Sequence, residues 1–169
     1  PGFGKTLFDF IMPLFKSAPP ATKRLVKAAS LLHDVSWRSD PSSRAEECFD
    51  NASRGNLSGL DHPGRVLLVM ALLHRYRKSG KMRRYKALKG LLNKQQRSGA
   101  QVIGQAMRLG ASLAGGDPGV LLQAQLRVDG EELVLRLGAE IAQLGGEVVE
   151  TRLSELAESM KLRPVLILK

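Results

Sequence analysis

The chain is organised around Ala28-Ala29-Ser30-Leu31-Leu32-His33-Asp34-Val35, where an apolar-faced helix ends in a histidine–aspartate doublet. Adjacent His and Asp side chains can share one divalent metal ion, because the imidazole offers a nitrogen and the carboxylate offers an oxygen. A catalytic metal normally takes at least three protein ligands and keeps one position open for water. His33 and Asp34 therefore need partners from other helices before they can form a metal site.

Helical periodicity continues on both sides of this doublet. Residues 66–73 are apolar on every side, which is typical of a helix in the middle of a bundle. The predicted helices are a short one that starts at Thr6 with a capping-box-like contact from Asp9, then 22–34, about 40–55, one that begins at Asp61-His62-Pro63, then 81–96 and 100–114.

The hydrophobic period changes after Gly115-Gly116-Asp117-Pro118-Gly119, the strongest break in the chain. Apolar and polar residues alternate over 122–128 and over 133–137, with the tight-turn signal Asp129-Gly130 between them. A helix over 146–160 and a strand over 163–168 follow. We therefore predict a mainly α protein with a small α+β C-terminal piece. The predicted division is a helical domain over 1–115 and an α+β subdomain over 116–169.

Positive charge is concentrated in one segment of the chain. The formal net charge is +10, and residues 61–100 hold eleven Lys and Arg residues against one acid. Ten of these cations fall between Arg75 and Arg97, where there is no Asp or Glu. Solvated charged faces normally mix both signs, so this segment indicates that the protein binds a polyanion.

Other features narrow the class of protein. The single cysteine, Cys48, falls on apolar spacing and is interpreted as a small buried residue, which fits a reducing compartment, and we expect the cytoplasm. There is no apolar run of about 18 residues and no signal peptide, so a membrane partner is not expected. Because the chain begins at Pro1 rather than Met, we expect it to be a fragment of a longer protein.

Four stretches, in order along nearly the whole chain, carry a resemblance to a known family. They are Pro1-Gly2-Phe3-Gly4 with Leu7-Phe8-Asp9, then Ala28-Ala29-Ser30-Leu31-Leu32-His33-Asp34-Val35-Ser36-Trp37-Arg38, then Gly59-Leu60-Asp61-His62-Pro63-Gly64-Arg65, and Leu133-Val134-Leu135-Arg136-Leu137. Together they resemble the C-terminal part of the exopolyphosphatase and guanosine pentaphosphate phosphatase family.

The resemblance implies both a fold and a division of labour. Residues 1–115 would form an HD-like helical bundle, similar to His-Asp metal phosphohydrolases. Polyphosphate would be cleaved in absent N-terminal actin-like domains, where a carboxylate activates water and Mg²⁺ helps to hold the phosphates. The parent protein would be an acid-anhydride hydrolase, an exopolyphosphatase that processively releases terminal phosphate from polyphosphate, and some members also act on guanosine pentaphosphate. This fragment would hold no catalytic residue and no cofactor.

Metal-binding His-Asp domains take further histidines from an earlier helix and from helices after the doublet. This chain has no histidine before His33, reads Ser42-Ser43-Arg44 after the doublet, and reads Arg75-Tyr76-Arg77 at the end of the fourth helix. Arginine stays protonated and cannot bind a cation, so no metal is expected and His33 and Asp34 are interpreted as vestigial. A hydrogen-bonded core residue is the other interpretation of His33.

Those arginines suit a different role, because guanidinium groups bind phosphate oxygens in a bidentate fork and lysines add positive charge. The predicted polyanion-binding residues are Arg44, Arg75, Arg77, Lys78, Lys81, Arg83 and Arg84.

Three functions follow from these patterns. The leading hypothesis is a non-catalytic domain that binds and guides polyphosphate, contacts its own N-terminal catalytic domains and can support a homodimer. The second is a metal-dependent HD-type phosphohydrolase that acts through His33 and Asp34. The third is a basic helical module for nucleic acid, which is weakened because only Tyr76 and Tyr85 lie near the basic run as stacking platforms.

Overall fold

The structure is a computed structural model that describes residues 2–33, 50, 54, 59–76 and 83–169, the side chains of 83–85 excepted. Helix α1 (Phe3–Ile11) buries Leu7, Phe10 and Ile11 and continues into a 3₁₀ turn at Met12–Phe15. Helix α2 (Pro20–Leu32) follows. The helix predicted over 40–55 and Cys48 lie outside the described residues.

The predicted start of the first helix at Thr6 is wrong. Helix α1 begins at Phe3, directly after Gly2, and Thr6 is a buried residue inside it. Asp9 contributes no cap, because its carboxylate lies 2.6 Å from the Nζ atom of Lys5. The extra turn is stabilised by tertiary packing, since the ring of Phe3 lies edge-on against that of His33.

Helix α3 (His62–Tyr76) starts where the sequence predicts. Asp61 precedes it, and its Oδ1 atom accepts a hydrogen bond of 2.8 Å from the backbone N–H of Gly64, as expected of a residue that caps a helix. Its residues from Leu68 to Leu73 are at most 4% exposed. The prediction of a helix in the middle of the bundle is therefore confirmed.

The helix predicted over 81–96 is interrupted, and the helix predicted over 100–114 begins six residues earlier, at Lys94. Helix α4 (Arg83–Lys89) ends before Gly90, and helix α5 (Lys94–Ala114) begins with a capping box. In this box Oδ1 of Asn93 accepts from the N–H of Gln96 at 2.8 Å, and Oε1 of Gln96 accepts from the N–H of Asn93 at 3.0 Å. This reciprocal cap outweighs the apolar periodicity that suggested one continuous helix.

The C-terminal residues form the predicted sheet-and-helix unit. Strands β1 (Ala124–Asp129) and β2 (Glu132–Leu137) make an antiparallel hairpin, and β3 (Arg163–Leu168) pairs in parallel with β2, so that the sheet order is β1-β2-β3. Helix α6 (Glu147–Met160) provides the crossover that a parallel pair requires. The alternation predicted from residue 122 begins later, because Pro118–Gln123 forms a 3₁₀ turn.

Helix α5 joins the parts of the molecule, because it packs against both α3 and α6. A Cβ atom added at Gly104 would lie 2.4 Å from the carbonyl oxygen of Ala71, so α3 and α5 are in direct backbone contact there.

The mainly α fold with a small α+β piece is confirmed. The division at residue 115 and the HD-like assignment stay predictions. Among the described helices, none has the length and apolarity needed to cross a bilayer.

Candidate functional site

The predicted polyanion-binding residues are only partly within the described structure. Arg75 is described with its side chain, in the last turn of α3. Arg83 and Arg84 are described as the first two residues of α4, without their side chains. The predicted site residues Arg44, Arg77, Lys78, Lys81 and Asp34 lie outside the described residues. Their joint contribution to one surface stays a prediction.

His33 is a buried residue at the C-terminal end of α2, with 2% of its surface exposed. Its Nδ1 atom lies 2.8 Å from the carbonyl oxygen of Ser30, and its ring contacts that of Phe3 at 4.5 Å between centroids. Because a carbonyl oxygen can only accept, Nδ1 carries the proton in this hydrogen bond. His33 thus fits the interpretation of a hydrogen-bonded core residue.

The ends of α2 and α3 are tied together beside His33. The hydroxyl of Tyr76 donates a hydrogen bond to the carbonyl oxygen of His33. The guanidinium carbon of Arg75 lies 4.8 Å from the centroid of the Tyr76 ring, which is a cation–π distance. Arg75 is therefore held by stacking at the same place where the two helices end.

The three histidines differ in burial and position. His74 is 8% exposed, and its burial lowers its pKa from 6.5 to about 4, so it is neutral at pH 7. His62 is exposed at the first turn of α3, about 18 Å along the helix axis from His74. Within the described part of the chain, no three His, Cys, Asp or Glu residues are placed to hold a metal ion.

A pocket of about 340 Å³ lies at the opposite end of the same helices. Its lining comes from the first two turns of α2 and α3, from the first turn of α5 and from the residues that lead into α3. The lining residues are Ala21, Thr22, Arg24, Leu25, Gly59, Leu60, Asp61, Pro63, Gly64, Leu67 and Gln96. Residues near the N-termini of all three helices therefore border one cavity, which we call the N-terminal pocket.

The charges at the starts of these three helices reverse the usual pattern, and Arg24 is the cation among them that lines the pocket. The N-terminus of a helix carries partial positive charge and is normally stabilised by acidic residues. None of these three helices has an acid in its first turn. Their first five residues instead include the cations Lys23, Arg24, Arg65, Lys94 and Arg97. Such an arrangement repels cations and attracts anions, and Asp61 is the one acid in the pocket lining.

Sequence reasoning missed the N-terminal pocket, because the meeting of three helix starts is a tertiary feature. A signal was nevertheless present in the sequence. Residues 62–116 contain no Asp or Glu, so the starts of α3 and α5 lack the acids that helix starts usually carry.

A comparison with protein families identifies the family of this chain. A family model described as the C-terminal part of exopolyphosphatase matches residues 18–167. The chain belongs to this exopolyphosphatase C-terminal family. The resemblance read from the sequence is thereby confirmed, and the parent family is one of hydrolases that act on polyphosphate. A comparison with curated proteins found no match. The matched residues of this exopolyphosphatase domain include the whole N-terminal pocket and the His33–Tyr76 contact.

Proposed function

We propose that this exopolyphosphatase C-terminal domain binds polyphosphate and guides it towards catalytic domains elsewhere in the parent enzyme. The observation that carries the proposal is the convergence of three helix N-termini and Arg24 on the N-terminal pocket. Counted over the first five residues of each helix, the three helices together carry five cations. Their first turns carry no acid. A polyanion that entered the pocket would relieve the repulsion between these charges.

The pocket suits a chain of phosphate groups in size and in chemistry. A volume of about 340 Å³ is at the lower end of the range for small-molecule sites, which fits a segment of a linear anion. Arg24 lines the pocket and offers a guanidinium fork for phosphate oxygens. The other four cations lie in the first five residues of the same helices and add to the positive charge of this end of the bundle. The predicted residues Arg44, Arg75, Arg77, Lys78, Lys81, Arg83 and Arg84 would extend this field along the polyphosphate chain.

In this proposal the domain is non-catalytic when alone. Hydrolysis, with Mg²⁺ as the cofactor, would take place in the N-terminal domains of the parent protein, which are the first expected protein partner. The other expected protein partner is a second copy of the chain. Exposed apolar side chains such as Leu122 and Val148, which are 71% and 61% exposed, offer a surface for this contact. Guanosine pentaphosphate is a further proposed substrate of the parent, and the cytoplasm its proposed location.

The proposal is tested by titrating the chain with long-chain polyphosphate at about 50 and about 200 mM salt. We expect binding at low salt that weakens steeply as the salt screens the cations. Arg24→Gln is expected to weaken binding roughly three- to tenfold. Arg136→Gln is the matched control, because Arg136 is an exposed arginine on β2. Absence of binding at low salt, or equal losses in the two variants, would contradict the proposal.

The two other hypotheses make different predictions in the same preparation. A metal-dependent phosphohydrolase would retain stoichiometric metal without chelator and hydrolyse a phosphomonoester. A nucleic-acid module would prefer DNA over polyphosphate in direct competition. If the protein preferred polyphosphate over DNA and contained no metal, the results would support the proposal that the domain binds and guides polyphosphate.

A further inference from the structure

Arg108 of α5 and Arg152 of α6 bring two positive charges together where these helices pack. Burial first, and the charge of Arg152 second, hold the pKa of the Arg108 guanidinium below its ordinary value, while Glu155 acts in the opposite direction. Both guanidinium groups remain protonated at neutral pH. They therefore repel each other across the α5–α6 interface.

Glu155 offsets only part of this charge. Its Oε2 atom lies 3.0 Å from Nη1 of Arg152, and the two side chains are 20% and 21% exposed respectively. Within the described part of the chain, Glu155 is the acid that acts on Arg108. One carboxylate thus faces two guanidinium groups, and all three side chains are partly buried.

Two buried polar atoms, one on α5 and one on α6, lack a hydrogen-bond partner among the described residues. The Nε–H of Arg152 is buried and finds no hydrogen-bond acceptor among the described residues. The side-chain oxygen of Gln105 is likewise buried without a donor there. Gln105 lies one turn before Arg108, on the same face of α5. Rotation of its amide would present an N–H₂ donor instead. In that orientation both groups are donors, and because buried donors normally have partners, the set is then short of an acceptor.

We propose that Gln105, Arg108 and Arg152 form an oxyanion site that takes one phosphate group. A phosphate would accept from the Nε–H of Arg152 and from the Arg108 fork, and its charge would end the repulsion between them. That polyphosphate is the source of this group rests on the function proposed above. The site is separate from the N-terminal pocket, because Arg108 lies twelve residues beyond Gln96 on α5, about 18 Å along the helix.

The experiment is calorimetric titration of the chain with tripolyphosphate and with inorganic phosphate at low salt, in wild type and in Arg108→Gln. We expect the variant to bind tripolyphosphate roughly tenfold more weakly. The control is Arg136→Gln, which is expected to bind as wild type does. Arg108→Lys keeps the positive charge but lacks the guanidinium fork, so its affinity for tripolyphosphate should lie between those of wild type and Arg108→Gln. If Arg108→Gln does not fold, weaker binding by Arg108→Lys tests the site in its place.

Thermal unfolding separates a binding role from a structural one. Removal of Arg108 also removes the repulsion with Arg152, so the Tm of the variant without ligand should be unchanged or higher. A lower Tm with unchanged affinity would show that Arg108 is structural and would overturn the site. Long-chain polyphosphate binding that persists at full strength in Arg108→Gln would overturn the site and leave the proposed function standing. If wild type bound no polyphosphate, the proposed function would fail. Binding of inorganic phosphate that depends on Arg108 would in that case still support the site. If neither polyphosphate nor inorganic phosphate bound, both proposals would fail.

Discussion

The hydroxyl of Tyr76 donates a hydrogen bond to the backbone carbonyl oxygen of His33, which lies 43 residues earlier in the chain. The last residues of α2 and α3 are joined by this contact, while the first residues of both helices line the N-terminal pocket. The two helices therefore run in parallel, and the contact fixes how their starts are aligned.

Tyr76→Phe is expected to lower the free energy of unfolding by about 1 kcal/mol, because the carbonyl oxygen of His33 loses a partly buried hydrogen bond. The phenyl ring keeps the surface on which Arg75 stacks, so the effect reports the hydroxyl. Urea unfolding followed by circular dichroism measures it. Unchanged stability would mean that the contact contributes nothing net.

Gly104→Ala is expected to destabilise the protein by about 2 kcal/mol, because its Cβ would lie 2.4 Å from the carbonyl oxygen of Ala71 and from Cβ of His74. Neither atom is the end of a flexible side chain, so α3 and α5 must move apart. Gly99→Ala is the matched control on the same helix, where an added Cβ has nothing within 4 Å. That variant should gain about 0.5–1 kcal/mol from helix propensity. Equal effects of the two substitutions in urea unfolding would contradict the backbone contact.

Asp61→Asn is expected to strengthen polyphosphate binding at low salt. Asparagine caps a helix about as well as aspartate and can keep the hydrogen bond to the Gly64 N–H, so α3 should stay intact. The substitution removes the one negative charge from the lining of the N-terminal pocket. Titration at two salt concentrations measures the gain, which should shrink at high salt. Weaker binding with an unchanged Tm would show that Asp61 assists the anion.

The stability of the fold is expected to fall between about pH 6.5 and pH 4 because of His74. Its pKa is lowered to about 4 in the folded state, so the unfolded chain binds more protons in this window and is favoured as the pH drops. The loss from this group should be of the order of 3 kcal/mol by pH 4.

His74→Gln should flatten this part of the stability profile, measured as the free energy of unfolding at a series of pH values. His62→Gln is the matched control, because it removes an exposed histidine from the same helix. If the two variants gave the same slope as wild type, the buried neutral state of His74 would be wrong.

Much of the fold could be predicted because periodicity and end signals agree along the chain. Asp61-His62-Pro63 fixed the start of α3, and Asp129-Gly130 fixed the hairpin. The boundary between α4 and α5 was missed because the Asn93 and Gln96 cap competes with a continuous apolar face. The start of α1 was missed because Phe3 gains its helical conformation from packing on His33.

The candidate site was harder to predict than the fold. Local charge identified the basic segment, and the cations Arg65, Lys94 and Arg97 belong to it. Which residues line one cavity, Arg24 among them, depends on the parallel alignment of α2, α3 and α5, which no local pattern encodes. For the same reason the pairing of Arg108 with Arg152, across two helices, had no signal in the sequence.

Helix α4 is only seven residues long and carries four cations without a single acid. A helix this short is not stable in water by itself, and its like charges oppose its formation further. Added salt should therefore act on the protein in two opposite senses. It screens the self-repulsion of α4 and so favours local order, while it weakens the hold on a bound polyanion. Backbone amide exchange in α4 should accordingly slow with ionic strength in the free protein, at the salt concentrations that release the ligand.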